Sequence, residues 1–131
     1  MIARVLVAED DELSRVLADD ILRANGYDVV TASTGQEAIT QAIRHKPALI
    51  LMDIQMPLLT GREAAKMLKA HPDTSAIPIV ALTASAMAGD VARYAQEGFA
   101  ATLTKPTTPS LILSMVRRFL PSEKEPPCLQ A

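Results

Sequence analysis

The 131-residue chain has no tryptophan, one cysteine and an aromatic share of 3%. The cysteine is Cys128, near the end, so neither a disulfide framework nor a cysteine-based zinc site can be built. The aromatics are Tyr27, Tyr94, Phe99 and Phe119, too few and too scattered for a platform that stacks bases or sugars. A basic excess is also missing. Thirteen basic residues face 15 acidic ones, for a net charge of −2, which argues against nucleic-acid binding through phosphate neutralisation. No apolar run reaches the roughly 18 residues of a membrane span. The opening residues, 1–8, are too short for a signal-peptide core and lead straight into acids, so the expected compartment is the cytoplasm. What is present is 49% apolar and 21% charged residues, the balance of one soluble globular domain with a real core. Four of the 15 acids stand together as Glu9, Asp10, Asp11 and Glu12, directly after an apolar run.

Short apolar runs alternate five times with helical periodicity. The runs cover residues 2–8, 27–32, 48–52, 77–82 and 100–104. Between them, apolar residues recur at helical spacing: Leu13, Leu17, Ile21 and Ala24; Ala38, Ile39, Ala42 and Ile43; Ala64, Ala65 and Leu68; Val91 and Ala95. A fifth helix begins after Thr108-Pro109, a cap followed by proline at the first helical position, with Ile112, Met115, Val116 and Phe119 as its expected buried face. Gly26, Pro47, the His71-Pro72-Asp73 stretch, Gly98 and Pro121 mark the stops. Alternation of this kind predicts an α/β domain with a parallel sheet covered on both faces. Runs one, three and four lack polar alternation and suit central strands, while run two alternates and suits an edge. The domain is expected over residues 1–120. Residues 121–131, with three prolines, read as a disordered tail or linker stub.

In an open parallel sheet, ligands bind beyond the carboxyl ends of the strands. Those ends carry Glu9 and Asp10, then Asp53, then Thr83 with Ala84, then Lys105. Each has an ordinary explanation alone: a helix cap, a turn former, a strand end, a solvated lysine. Independent ordinary causes would not gather all of them on one sheet edge. Two like charges roughly 4 Å apart repel by about 4 kcal/mol at an effective dielectric of about 20, so three clustered carboxylates cost on the order of 10 kcal/mol. Lys105 offsets one charge, and a divalent cation would offset two. An all-oxygen set suits Mg²⁺ or Mn²⁺ rather than zinc. His45 and His71 stand at no strand end.

The segments Val7-Ala8-Glu9-Asp10, Leu51-Met52-Asp53-Ile54-Gln55-Met56-Pro57, Ala81-Leu82-Thr83-Ala84 and Thr104-Lys105-Pro106 resemble the receiver domains of bacterial two-component response regulators. The likeness runs from residue 2 to about residue 120. It implies a flavodoxin-like (βα)5 fold, a doubly wound sheet of five parallel strands in the order 2-1-3-4-5. It implies Asp53 as phosphoacceptor and Mg²⁺ held by Asp10, Asp53 and the backbone carbonyl of Gln55, with Glu9 acting through water. Thr83 and Lys105 would each bind a phosphoryl oxygen. Ala84 would leave room for the phosphoryl group, and Thr83 would be drawn toward it as a switch. Phosphoryl transfer of this kind depends on positioning and cations more than on covalent chemistry by the protein. Two positions depart from the common pattern. Thr102 stands where such domains usually carry a switch aromatic, with Phe99 too early to replace it, and Glu9 stands where aspartate is commoner. Residues 83–90 resemble receivers of multistep phosphorelays.

The implied partners are a histidine kinase or histidine phosphotransfer protein and a downstream protein target, with no nucleic acid and no membrane. The expected state is a monomer or weak dimer. Only 25 residues follow Pro106, room for one helix and no DNA-binding module, and Arg117-Arg118 reads as a solvated face. Two other readings stand beside a stand-alone phosphoacceptor. One is a receiver cut from a hybrid histidine kinase. The other is an Mg²⁺-dependent phosphatase with an aspartate nucleophile, which would want a carboxylate where Gln55 stands.

Overall fold

The computed structural model describes residues 2–84 and 87–120. Five strands and five helices alternate: β1 Arg4–Ala8, α1 Glu12–Ala24, β2 Asp28–Ala32, α2 Gly35–His45, β3 Leu49–Asp53, α3 Gly61–Ala70, β4 Ile79–Thr83, α4 Ala88–Gln96, β5 Ala101–Thr104 and α5 Pro109–Phe119. All pairings are parallel, in the order β2-β1-β3-β4-β5. The three unalternated runs are the central strands, and β2 is an edge, as the patterning predicts. The expected tail lies outside the described residues.

Strand periodicity divides the core in two. Leu6, Ile50, Met52 and Ile79 face a layer formed with α2, α3 and α4, where Tyr94 and Phe99 meet edge to face at 5.9 Å. Val5, Val7, Leu51 and Val80 face the other way, against α1 and α5. Four helices start at a side-chain cap: Asp11 accepts from Ser14 N–H, Thr34 from Glu37, Thr60 from Glu63, and Thr108 from Leu111. Thr60 and Glu63 complete a reciprocal capping box, which sets where α3 begins after the loop from Asp53.

Several expectations need correction. The apolar series Leu13, Leu17, Ile21, Ala24 does not face the core. Ala18 and Leu22 do, and Leu13 is 78% exposed. The small Ala18 lets α1 sit close to the sheet, which turns the leucines at 13 and 17 outward. On α4, Val91 and Ala95 are exposed, and Tyr94 alone among the described α4 side chains is buried. Phe119 is half-buried at the end of α5. β4 starts at Ile79 rather than Ile77: Pro78 has no N–H to give, and Ile77 N–H turns back to the Thr74 carbonyl at 3.1 Å. β1 starts at Arg4, where pairing with Asp28 begins, leaving Ile2 exposed. β2 and β5 likewise begin one residue later than their apolar runs.

Candidate functional site

Backbone pairing continues past the strand ends and fixes the first residue beyond three of them. Glu9 N–H donates to the Ala32 carbonyl at 2.9 Å, Ile54 N–H to Leu82 at 2.9 Å, and Lys105 N–H to Thr83 at 2.7 Å. The carboxyl edge therefore holds Asp53 and Thr83 as the last residues of β3 and β4, Glu9 and Lys105 just beyond β1 and β5, and Asp10 next after Glu9. Glu9, Asp53 and Thr83 are 1%, 3% and 4% exposed, whereas Asp10 is open to solvent. Carboxylate oxygens of Glu9, Asp10 and Asp53 lie within 4.8 Å of one another.

The Lys105 ammonium bridges the two buried acids. Its Nζ stands 2.8 Å from Glu9 Oε2 and 3.1 Å from Asp53 Oδ2. Asp53 Oδ1 accepts from the Gln55 N–H at 3.1 Å, and Glu9 Oε1 accepts from the Asp11 N–H at 3.2 Å. Burial, and then the neighbouring Glu9 charge, push the Asp53 carboxyl up to about 7 despite Lys105 and Gln55. Burial alone would lower the Lys105 ammonium, but its bonds to Glu9 and Asp53 hold it above its ordinary value.

The donor set is oxygen throughout. Asp10 makes no side-chain hydrogen bond among the described residues, and its carboxylate opens on the solvent side of the pair. The Gln55 carbonyl, the further expected oxygen, accepts no hydrogen bond among them either. Three carboxylates against one ammonium leave an excess negative charge that a hard divalent cation fits. No imidazole or thiolate is near among the described residues.

Ala84 is exposed directly after β4, and Ser85 and Ala86, within the segment read as phosphorelay-like, lie outside the described residues. Thr102 is half-buried on β5, in register with Ala81. Phe99 is buried against Tyr94 and contributes no ring to β5. The sequence reading missed two basic residues beside the site. Arg15 bonds the Glu9 carbonyl, and Arg62, one residue into α3, pairs with Glu97 at the end of α4. Arg15 did leave a weak signal, a cation near a helix N-terminus where the dipole disfavours it. Arg62 left none, because its partner is 35 residues away.

The sequence pattern of the response regulator receiver domain matches residues 5–117. The chain is 39% identical over 116 residues to the polar-differentiation response regulator DivK of Brucella anthropi, covering 88% of this chain and 94% of that one. It superposes on the chemotaxis protein CheY4 of Vibrio cholerae with a TM-score of 0.87 at 29% identity, covering 92% of this chain and all of that one (100%). The receiver domain of the sensor histidine kinase PA1611 of Pseudomonas aeruginosa, which has a magnesium ion coordinated in its active-site cleft, superposes with a TM-score of 0.82 at 30% identity, over 91% of this chain and 98% of that one. Sequence pattern, fold and an acidic cluster at the carboxyl edge agree, and the chain belongs to the response regulator receiver domains of two-component signalling.

Proposed function

We propose that Asp53 is the phosphoacceptor, taking a phosphoryl group from a phosphohistidine on a partner protein. The observation that carries this reading is the buried Asp53 carboxylate held between the Lys105 ammonium and the Glu9–Asp10 acids. In the step, an Asp53 oxygen forms a bond to phosphorus, the phosphorus–nitrogen bond to histidine breaks, and the imidazole leaves with its electron pair. Asp53 must be ionised to attack, and its upward-shifted pKa means it needs positive charge nearby. Lys105 supplies part of that charge and, once Asp53 is esterified, can turn to a phosphoryl oxygen. Thr83, at the end of the adjoining strand, would donate its hydroxyl to another. Ala84 offers no bulk against the incoming group.

Asp10, Asp53 and the Gln55 carbonyl would hold Mg²⁺, or Mn²⁺ in its place, with Glu9 at one remove. When bound, the ion neutralises charge on the transferring phosphoryl oxygens. Asp10 is the open carboxylate of the set, and of the two acids that Lys105 bridges, Glu9 makes the shorter contact.

A histidine kinase or histidine phosphotransfer protein is the donor this site requires. Exposed Leu13, Val16 and Leu17 on α1, with Leu111 on α5, form an apolar surface for it. Beside them a cavity of about 310 Å³ between α1, α5 and the loop after β5 reaches Lys105. The output is a protein contact or onward relay from the cytoplasm, by a monomer or weak dimer, with Thr83 and Ala84 moving and Thr102 standing in place of a switch aromatic. A receiver from a hybrid kinase is the second reading, supported by the likeness to the kinase receiver domain. The phosphatase reading is disfavoured, since Gln55 cannot serve as a general acid. None of the helices among the described residues is long and apolar enough to cross a membrane.

Intact mass after incubation with a small phosphodonor tests the reading. One added phosphoryl group, dependent on Mg²⁺ and absent in Asp53→Asn, is the expected result. Equal labelling of the substituted protein would overturn it.

A further inference from the structure

The carboxyl end of β1 is held by a side chain that the phosphoryl chemistry does not use. Arg15, the fourth residue of α1 and half-buried, reaches back along the helix and donates through Nη1 to the Glu9 carbonyl oxygen at 2.9 Å. That oxygen belongs to the peptide joining Glu9 to Asp10. The other side of Glu9 is tied to β2 through the Ala32 carbonyl, at 2.9 Å. Asp11, two residues after Glu9, donates its N–H to Glu9 Oε1 at 3.2 Å and caps α1. The backbone is thus secured on both sides of Asp10, while the Asp10 carboxylate itself has no hydrogen-bond partner among the described residues.

We infer that Arg15 is a positioning residue for divalent-cation binding: by clamping the Glu9–Asp10 peptide it holds the otherwise unpartnered Asp10 carboxylate toward Asp53. This rests on the metal reading above. Two effects of Arg15 on cation binding oppose each other. Its positive charge, close to the acids, repels a cation, so a merely electrostatic role predicts tighter binding when Arg15 is removed. Its hydrogen bond fixes the backbone before the cation arrives, and ordering one residue's backbone is equivalent to roughly five- to thirtyfold in an equilibrium constant. Positioning therefore predicts weaker binding when Arg15 is removed, even though a positive charge goes with it. Arginine suits the task, since its planar fork reaches a carbonyl with little further loss of freedom.

Mg²⁺ titration followed by backbone amide NMR, with Arg15→Met and Arg15→Lys beside the wild type, separates these cases. Methionine keeps the aliphatic stem against α1 and removes donor and charge. Lysine keeps a donor and the charge. Positioning predicts Mg²⁺ affinity about five- to tenfold weaker in Arg15→Met, with Arg15→Lys closer to the wild type. It also predicts faster amide exchange at Asp10 and Asp11 in metal-free Arg15→Met. Thermal unfolding without metal checks that each variant is folded. Unchanged or tighter Mg²⁺ binding by folded Arg15→Met would overturn the inference alone. Absence of saturable binding by the wild type would overturn the metal reading and this inference with it.

Discussion

Gly61 packs directly against the backbone of Asp53: a β-carbon on Gly61 would stand 2.0 Å from the Asp53 carbonyl oxygen and 2.8 Å from its carbonyl carbon. The Gly61 N–H also donates to the Ile54 carbonyl at 3.0 Å, so the start of α3 is bonded to the loop that leaves the site. Neither partner is a side chain that could swing aside. Gly61→Ala should cost about 3 kcal/mol or more, read as a lower urea midpoint. Gly89 in α4 is the contrast, with nothing within 4 Å of a β-carbon there. Gly89→Ala should raise stability by up to about 1 kcal/mol through helix propensity.

The raised Asp53 pKa sets a pH dependence for the metal-free protein. The unfolded carboxyl titrates near 3.8 and the folded one near 7. Between these values the folded protein keeps a proton that the unfolded chain has lost. Stability from this group therefore falls as pH rises through that window and levels off above it. The full difference is on the order of 4 kcal/mol. Asp53→Asn removes the titration. It should be the more stable protein at pH 8 without metal, by about 2 kcal/mol or more, and should match the wild type near pH 4. Thermal unfolding at both pH values checks this. A wild type more stable than Asp53→Asn at pH 8 would contradict it.

Lys105→Ala would leave Glu9 buried without its cation. Removing one partner of a buried pair costs about 3 kcal/mol. Lys105 is 27% exposed by side chain and its partners 2% and 4%, so solvent relieves little of that cost. If Mg²⁺ supplies the missing charge, adding it should raise the melting temperature of Lys105→Ala by more than it raises that of the wild type. Mg²⁺ binding should persist, while the phosphorylation-driven change should weaken. Equal melting shifts in the two proteins would count against Lys105 as the standing counter-charge.

Arg62 and Glu97 tie α3 to the C-cap of α4 through two parallel bonds, one of them Nε to Oε1 at 2.8 Å. Both side chains are partly exposed, at 41% and 31%. A double-mutant cycle should return a coupling of about 0.5–1 kcal/mol, shrinking in high salt. Since Tyr94 is the buried α4 anchor among the described residues, losing the pair should speed amide exchange in α4 before it affects the sheet.

Much of this protein is legible one residue at a time. Unbroken apolar runs mark β1, β3 and β4 as central because a strand covered on both faces tolerates no polar alternation. Thr108 and Pro109 mark a helix start because capping is local. The strand directions alone bring Glu9, Asp10, Asp53, Thr83 and Lys105 to one edge. The order of the strands came with the family likeness. Tertiary packing decided the rest. Leu13 and Leu17 are as apolar as Leu22, and only the approach of α1 to the sheet through Ala18 selects which stripe is buried. The bridge from Lys105 to Glu9 spans 96 residues of chain, and the Arg62–Glu97 pair spans 35. The Asp53 pKa depends on burial and on a charge from another strand, quantities set by distance through space rather than along the chain.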